Sequence, residues 1–304
     1  MVDLTVQIGS LRLKNPVLTA SGTFGYGTEY GKYFDVGLLG GVITKTITAH
    51  ARDGNAVPRI AETPCGMLNS IGLANVGVDR FMEEKLPELT GLDTAVIVNV
   101  AGSVVEEYGE VVSKVEGHHR VDGIEVNISC PNVKRGGLAF GTDPAITREV
   151  VSRVRKATEK PVIVKLTPNV TDIGSIALAA VDGGADCLSL INTVLGMAVD
   201  IETRKPLLAR VVGGLSGPAI KPIALAKVRQ VVKAVSVPVI GIGGILSWED
   251  AIEFFIVGAT AVEVGTLSFV EPGGAVEVLR GIERYSEQNG IERLSDLVGT
   301  LEES

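Results

Sequence analysis

The sequence predicts an α/β protein whose single domain is a (β/α)8 barrel of the TIM type, and three observations favour this fold. Short apolar stretches alternate with longer amphipathic stretches along most of the chain, which is the pattern of strands followed by helices. A length of 304 residues is ordinary for one such barrel. Glycine is frequent, with 37 residues, and aromatic residues make up only 4%, as suits strands buried on both faces. An open doubly wound sheet is less favoured, because no Gly-x-Gly-x-x-Gly follows the first strand.

Composition and charge exclude several functional classes. The formal net charge is −8, which argues against nucleic acid or an anionic membrane as the main partner. No apolar run approaches roughly 18 residues, the length that spans a bilayer, and the N-terminus lacks a signal-peptide pattern. The cysteines Cys65, Cys130 and Cys187 are odd in number and form no metal-binding motif. We therefore expect a cytoplasmic protein without a metal site of its own.

The first part of the chain predicts a hairpin, two strands and a long excursion. A β-hairpin over residues 4–13 is expected to close the bottom of the barrel, and strands 1 and 2 are predicted over 15–20 and 41–44. The excursion that follows contains Asp53-Gly54 between two β-prone runs, which we interpret as a hairpin turn. It ends at residues 65–75, before a helix near 78–89. A connection of this length usually has a function.

The rest of the chain alternates regularly, with one second excursion over 194–217. Asp143-Pro144 is typical of a helix start, a capping residue followed by proline at the first helical position. Strands are predicted over 95–100, 124–128, 162–166, 187–191, 238–240 and 261–264. Helices are predicted over 103–116, 143–158, 172–182 and 218–235, from about 247, over 274–289 and in the tail.

Polar residues and glycines follow nearly every predicted strand at its carboxyl end. One such residue is usually a cap or a solvated side chain, but all of them map to one rim of the barrel, where barrel enzymes carry their active sites. They are Ser21, Lys45, Asn99, Asn127, Lys165, Asn192, Gly243, Gly244, Gly265 and Thr266.

Two glycine-containing strand ends predict a phosphate site. Gly241-Ile242-Gly243-Gly244 precedes a helix, and Gly265-Thr266 ends the next strand. Glycines let backbone N–H groups approach an anion, and loops after strands 7 and 8 bind phosphate in many barrels. The alternative is a pair of tight turns, and the motif does not say whether a phosphate would belong to substrate or cofactor.

Lys45 and Lys165 end apolar strands, where a buried charge needs a partner. An anionic ligand would supply one for both. The alternatives are lysines that extend to solvent and a lysine that forms a Schiff base, as in aldolases.

Cys130 is the candidate for chemistry. It follows the strand 124–128, precedes Pro131 and lies beside a glycine-rich loop over 134–141. A free cysteine is often only a small buried apolar residue, which is our interpretation of Cys187, but this context favours a reactive thiol. The histidines His50, His118 and His119 are predicted to be solvated.

Several motifs together resemble the class 1B dihydroorotate dehydrogenases, in particular their flavin mononucleotide (FMN) catalytic subunit. The resemblance spans residues 15–266, and the runs 69–73 and 127–132 are its most specific parts. The matching segments are Ala20-Ser21-Gly22-Thr23-Phe24-Gly25, Thr44-Lys45-Thr46, Asn69-Ser70-Ile71-Gly72-Leu73, Asn127-Ile128-Ser129-Cys130-Pro131-Asn132, Lys165-Leu166-Thr167-Pro168, Ile191-Asn192-Thr193, Gly241-Ile242-Gly243-Gly244 and Gly265-Thr266.

The resemblance implies a cofactor site and a substrate site. The FMN phosphate would bind at Gly243, Gly244, Gly265 and Thr266, and the rest of the cofactor would contact Ser21, Lys45, Thr46, Asn99, Asn127, Lys165, Ile191 and Gly217. Dihydroorotate would bind to Lys45, Asn69, Ser70, Ile71, Gly72, Leu73, Asn127, Asn192 and Thr193. Asparagines both donate and accept hydrogen bonds, as a ring with amides and a carboxylate requires.

The resemblance also implies a reaction. Cys130 would be the base in the oxidation of (S)-dihydroorotate to orotate, in pyrimidine (UMP) biosynthesis, with hydride passing to FMN N5 and the loop 134–141 acting as a lid. FAD and a [2Fe-2S] cluster would belong to a partner subunit that passes electrons to NAD, in a heterotetramer built on a homodimer of this chain.

Three other functions stay open at this point. A reductase similar to dihydropyrimidine dehydrogenase uses a comparable cysteine loop. A non-redox barrel, such as a lysine aldolase, would use Lys45 or Lys165. A non-catalytic flavin-binding subunit would bind FMN without oxidising a pyrimidine.

Overall fold

The computed structural model describes residues 2–129 and 140–303. Its strands in chain order are β1 (Val6–Ile8), β2 (Leu11–Leu13), β3 (Val17–Thr19), β4 (Gly41–Ile43), β5 (Ile60–Thr63), β6 (Gly66–Asn69), β7 (Ala95–Val100), β8 (Gly123–Asn127), β9 (Val162–Lys165), β10 (Cys187–Leu190), β11 (Val194–Met197), β12 (Val199–Asp200), β13 (Lys205–Pro206), β14 (Val212–Ser216), β15 (Val239–Ile242) and β16 (Ala261–Val264).

The helices within these ranges cover the barrel. They are α1 (Val78–Arg80), α2 (Val105–Glu116), α3 (Pro144–Arg155), α4 (Ile173–Asp182), α5 (Lys221–Val232), α6 (Trp248–Val257), α7 (Leu267–Val270) and α8 (Gly274–Gln288). A π turn over Phe81–Lys85 and a 3-10 turn over Pro87–Leu89 continue α1, so the predicted helix near 78–89 is present. The short α7 was not predicted. In the described ranges no helix is both long and apolar enough to cross a membrane.

Eight strands close the barrel in the order β3-β4-β7-β8-β9-β10-β15-β16. All neighbouring pairs are parallel. Strand β7 explains the pattern of short apolar runs in the sequence. Val96 and Val98 alternate with Ile97 and Asn99, and all four residues are fully buried. Parallel strands between a helical layer and a barrel interior have no solvent face. The predicted (β/α)8 barrel is confirmed.

Helix starts follow the predicted capping chemistry. The Asp143 carboxylate accepts hydrogen bonds from the backbone N–H groups of Ala145 (2.8 Å) and Ile146 (3.0 Å), and Pro144 is the first helical residue of α3. Ser247 and Asp250 form a capping box at α6. Such caps satisfy N–H groups that have no partner within the helix.

The N-terminal hairpin β1–β2 lies at the amino end of the barrel. A Cβ on Gly9 would be 3.0 Å from the Cβ of Asp186, next to the start of β10, and a Cβ on Gly123, at the start of β8, would be 3.8 Å from Cδ2 of Leu11. Ile8 and Leu13 are buried. The hairpin therefore closes the bottom of the barrel, as predicted.

The two excursions pair with each other. Strands β5, β6, β14 and β11 form one antiparallel sheet in the order β11-β14-β6-β5. The prediction of a hairpin turn at Asp53-Gly54 is wrong, because the hairpin β5–β6 turns at Pro64 and Cys65. Gly54 instead lies against the Ile71 backbone, since a Cβ added to Gly54 would be only 2.4 Å from the Ile71 carbonyl oxygen.

Candidate functional site

The carboxyl ends of the barrel strands bring several predicted residues together. Lys165 pairs in register with Asn127 on β8 and with Ser189 on β10. Its Nζ also donates to Ser21 Oγ, which follows β3, at 3.4 Å. These side chains belong to strands on different sides of the barrel, so the hydrogen bond crosses its interior.

Lys165 lies in a buried ionic cluster that the sequence analysis missed. Its Nζ is 2.9 Å from Glu263 Oε2 and 3.7 Å from Glu125 Oε2. Both glutamates are fully buried and Lys165 is 4% exposed. Burial alone would lower the pKa of Lys165, but the carboxylates of Glu125 and Glu263 outweigh it and raise that pKa. Lys165 is therefore a protonated lysine with counter-charges of its own.

The two glutamates of the cluster differ in the hydrogen bonds that they accept. Glu125 accepts hydrogen bonds from Ser189 Oγ (2.8 Å) and from Asn99 Nδ2. Within the described ranges, Glu263 Oε1 and Asn99 Oδ1 are buried without a hydrogen-bond partner. A buried polar atom without a partner is costly, so the amide oxygen of Asn99 is a candidate ligand contact.

Lys45 differs from Lys165 in having no counter-charge among the residues that the structure describes. Its backbone N–H donates to the Gly25 carbonyl (2.8 Å), and its neighbour Thr46 is buried. No carboxylate in residues 2–129 and 140–303 lies within ion-pair distance of the Lys45 ammonium. Burial lowers the pKa of Lys45. An anionic ligand would relieve this cost.

The end of β8 is held by hydrogen bonds on both sides. The Tyr108 hydroxyl donates to the Asn127 carbonyl (3.0 Å), and the Asn127 side-chain oxygen accepts from the Ser129 N–H (3.1 Å). Ser129 Oγ donates to the Lys165 carbonyl (3.0 Å). Cys130, the predicted base, lies outside the described residues, as do residues 134–139 of the predicted lid.

The segment Asn69–Leu73 follows β6 and is shaped by the first excursion. The Ser70 N–H donates to the Arg59 carbonyl (2.7 Å), and Asn55 Nδ2 donates to the Ser70 carbonyl (2.9 Å). The Asn55 N–H donates to the Ile71 carbonyl (3.0 Å). Gly72 and Leu73 have left-handed backbones, with φ of 74° and 56°. Asn55 and Arg59 therefore support this segment, a role that only the pairing of the loops reveals.

Asn69 and Thr193 meet at Gly214 of the second excursion. Asn69 Nδ2 donates to the Gly214 carbonyl (3.3 Å), and a Cβ on Gly214 would collide with the Thr193 side chain. Asn192 Oδ1 accepts from the Thr193 N–H (2.7 Å). The two predicted substrate segments are thus brought together through β14.

The glycines after β15 and β16 lie beside the second excursion. Gly243 and Gly244 have φ of 124° and 75°, and a Cβ on Gly243 would be 3.4 Å from Cγ1 of Ile191. After Gly265, Thr266 Oγ1 donates to Ser216 Oγ (2.8 Å). A Cβ on Gly217 would be 2.7 Å from the Gly66 Cα. These glycines have no side chain of their own between their backbone N–H groups and a ligand, which suits an anion site.

Fold and site together define a class: a parallel barrel whose carboxyl rim carries lysines, asparagines and glycine turns, which are groups that suit an anionic ligand. The dihydroorotate dehydrogenase family model matches residues 3–285. The chain belongs to the dihydroorotate dehydrogenase family.

Similar proteins agree along nearly the full chain. The chain is 56% identical over 299 residues to a protein of Geotalea uraniireducens named dihydroorotate dehydrogenase B (NAD(+)), catalytic subunit, covering 98% of each chain. It is 54% identical over 300 residues to the protein of that name from Thermoanaerobacter pseudethanolicus, covering 99% of each. A crystal structure of the dihydroorotate dehydrogenase of Eimeria tenella in complex with ferulenol superposes with a TM-score of 0.81 at 25% identity, over 98% of this chain and 88% of that one. The predicted family, fold and oxidoreductase class are confirmed.

Proposed function

We propose that this chain is the catalytic subunit of an NAD-linked dihydroorotate dehydrogenase, which oxidises (S)-dihydroorotate to orotate in pyrimidine biosynthesis. The observation that carries the proposal is the 56% identity to a catalytic subunit over 98% of both chains. The rim described above supplies the donors, acceptors and cations that such a substrate needs.

The residues present fit FMN, the cofactor implied by the resemblance. Asn99 Oδ1 is buried without a partner in the described ranges, and an N–H of the flavin would supply one. Gly243, Gly244, Gly265 and Thr266 would hold the phosphate through their backbone N–H groups. The remaining contacts would come from Ser21, Lys45, Thr46, Asn127, Lys165, Ile191 and Gly217. On this basis the chain is a single FMN-binding barrel domain over residues 1–304.

Dihydroorotate carries one carboxylate, ring amides and ring carbonyls. The Lys45 ammonium, which has no counter-charge in the described ranges, would bind the carboxylate. Ser70 Oγ is also buried without a partner there. The asparagines Asn69, Asn127 and Asn192 would bind the amides and carbonyls, and Thr193 and the segment 71–73 would complete the pocket.

Bound FMN supplies a hydride acceptor. The chain itself must then remove a proton from the carbon next to the one that loses hydride. Cys130 is proposed as that base: the thiolate forms near neutral pH in a useful fraction, since an unperturbed thiol has a pKa of about 8.5. The asparagines and Lys45 orient the substrate for this step.

The charge state of Lys165 argues against its use as the Schiff-base lysine of an aldolase. A Schiff-base lysine must be a neutral amine in order to attack a carbonyl. The carboxylates of Glu125 and Glu263, which outweigh the opposing effect of burial, raise the pKa of Lys165 and keep it charged. A lysine held this way stabilises negative charge nearby.

Electron transfer to NAD would use a separate subunit. We propose that FAD and a [2Fe-2S] cluster reside on that partner, in a heterotetramer built on a homodimer of this chain. The phrase "catalytic subunit" in the names of the relatives supports a partner. Cys65 and Cys187 are free thiols, which is consistent with a reducing, cytoplasmic setting.

The test is the absorbance spectrum of the purified chain before and after anaerobic addition of dihydroorotate. We expect a yellow protein that bleaches as orotate appears. A flavin that dihydroorotate leaves oxidised but dihydrouracil reduces would instead support the reductase alternative. A flavin that neither compound reduces would support a non-catalytic subunit.

A further inference from the structure

The cluster below the rim contains more negative than positive charge. The carboxyl groups of Glu125 and Glu263 share one ammonium, that of Lys165, in a part of the barrel interior where both glutamates have no exposed surface. Two carboxylates and one ammonium would leave one uncompensated negative charge. Burying such a charge is costly, and the usual relief is the uptake of a proton.

The two carboxyl groups that would share this proton differ in their hydrogen bonds. Glu125 accepts hydrogen bonds on both oxygens, from Ser189 Oγ and from Asn99 Nδ2, so each of its oxygens has a donor. Glu263 has one donor, Lys165 Nζ, and its other oxygen has no donor in the described ranges. Burial, and after it the nearby Glu125 carboxylate, raises the pKa of Glu263 well above its ordinary value.

The other groups around the cluster do not supply this proton or charge. Asn99 from β7 and Ser189 from β10 do not titrate. The Cys187 thiol on β10 is buried near both carboxylates. Burial, and after it the charges of Glu263 and Glu125, raises the pKa of this thiol well above its ordinary value, so the thiol stays neutral. Among the described residues, the charged groups of the cluster are therefore Lys165, Glu125 and Glu263.

We propose that Glu125 and Glu263 are positioning residues that share one proton between them and so keep the cluster neutral, with Lys165 protonated, beneath the ligand rim. The inference rests on the proposed function, because Lys165 is assigned there to the flavin. When the cluster is neutral, the Lys165 ammonium can stabilise negative charge on a bound ligand, because the cluster itself carries no net negative charge. Once the shared proton leaves at high pH, the cluster gains a negative charge and its stabilising effect falls.

The variants Glu263→Gln and Glu125→Gln test this directly. Each removes one carboxyl group and leaves one, which must ionise to balance Lys165. Infrared spectra of the FMN-loaded chain with isotope-labelled glutamate should show a buried neutral carboxyl group in the wild type and none in either variant. The Asp122→Asn variant is the control. Asp122 immediately precedes β8 at the opposite end of the barrel and accepts from the Val96 N–H at 2.8 Å, so this variant should keep the neutral carboxyl signal.

FMN binding and reduction give the second measurement. The wild type should bind FMN more weakly, and its bound flavin should become harder to reduce, as the shared proton leaves at alkaline pH. Both single variants should lose the part of this pH dependence that follows the shared proton. The part that follows Lys45, which is also assigned to the flavin, should be the same in the wild type and in both variants. The double variant removes both glutamates that balance the Lys165 charge. Lys165 should therefore lose its proton, and FMN affinity should fall at least about tenfold at neutral pH.

The possible results separate the alternatives. A wild type without a neutral carboxyl signal, or a signal that survives in either single variant, overturns the shared proton. Variants that bind FMN more weakly but keep the wild-type pH dependence show a structural role only and also overturn the proposal. If the infrared pattern is as expected but dihydroorotate does not reduce the flavin, the proposed function fails and the shared proton stands.

Discussion

Gly244 lies so close to Lys221 that a Cβ added to the glycine would be 2.7 Å from the lysine Cβ and 2.8 Å from its backbone nitrogen. The glycine also has φ of 75°, a conformation that costs other residues about 1–2 kcal/mol. Two independent constraints therefore require glycine at this turn, where the FMN phosphate is proposed to bind.

The Gly244→Ala variant should therefore lose more FMN affinity than a variant that introduces the same backbone strain without a close contact. The added methyl group forces the turn away from Lys221 and moves the N–H groups that would contact phosphate. Isothermal titration of the FMN-free chain with FMN measures this loss. Gly299→Ala is the matched control, because Gly299 has φ of 77° with nothing within 4 Å of its Cβ position. Equal FMN affinities in the two variants would contradict the phosphate assignment.

Orotate affinity should fall as pH rises through the pKa of Lys45. Burial lowers that pKa, so the fall should begin below the ordinary lysine value of about 10.4. Only the ammonium form pairs with the orotate carboxylate, and each pH unit above the pKa should weaken binding about tenfold. Spectroscopic titration of the bound flavin with orotate between neutral and alkaline pH measures this.

The same lysine should oppose folding at neutral pH. A folded-state pKa below the unfolded value means that the protonated lysine destabilises the native state, and that this penalty fades as pH rises toward the ordinary lysine pKa. Lys45→Met should therefore raise the free energy of unfolding at pH 7 while weakening orotate binding. Lys14→Met, at an exposed ion pair with Asp93, should change neither much. Orotate affinity unchanged in Lys45→Met would refute the carboxylate contact.

Cys130→Ala should slow flavin reduction by dihydroorotate by about a hundredfold to ten-thousandfold, the usual contribution of a positioned base. FMN and orotate binding should persist, since the cysteine is assigned to proton transfer only. Anaerobic stopped-flow absorbance gives the rate. Cys65→Ser removes an exposed thiol and should bleach like the wild type. A wild-type rate in Cys130→Ala would show that another group is the base.

Tyr108→Phe should lower the free energy of unfolding by about 1 kcal/mol, the typical value of one buried hydrogen bond. The variant removes the donor to the Asn127 carbonyl (3.0 Å) but keeps the ring beside Phe140, whose centroid is 5.6 Å away. Because that bond holds the end of β8, orotate affinity should fall as well. Chemical denaturation and orotate titration measure the two effects, and the exposed Tyr33 provides the control variant Tyr33→Phe. Full orotate affinity in Tyr108→Phe would mean that Asn127 is held without this bond.

The barrel was predictable because its strands have no solvent face. Ala95–Val100 and Ala261–Val264 have the predicted bounds, since a short apolar run between polar or glycine-rich segments has few other solutions in an α/β chain. The excursions were not predictable in the same way. Asp53-Gly54 is a local turn signal, whereas the sheet order depends on β6 pairing with β14, from a distant part of the chain.

The ionic cluster of Lys165, Glu125 and Glu263 shows a second limit of prediction from sequence. Glu125 alternates with apolar residues, a pattern that on a half-exposed strand places the glutamate in solvent. In a closed barrel the same alternation places it in the interior, and the signal available was that Lys165 needed a buried partner. Which carboxylates supply it depends on barrel closure, since Glu263 reaches Lys165 from a strand that is not adjacent to β9.

Strand β6 pairs with β5 on one side and with β14 on the other, and this has a consequence for the design of variants. The proposed substrate segment after β6 and the turn at Thr193, before β11, adjoin one sheet that is encoded in two distant stretches of the gene. Transplanting only one stretch from a related enzyme would leave an unpaired strand edge in this sheet. An exchange of substrate specificity would therefore have to carry both stretches together, as a single cassette.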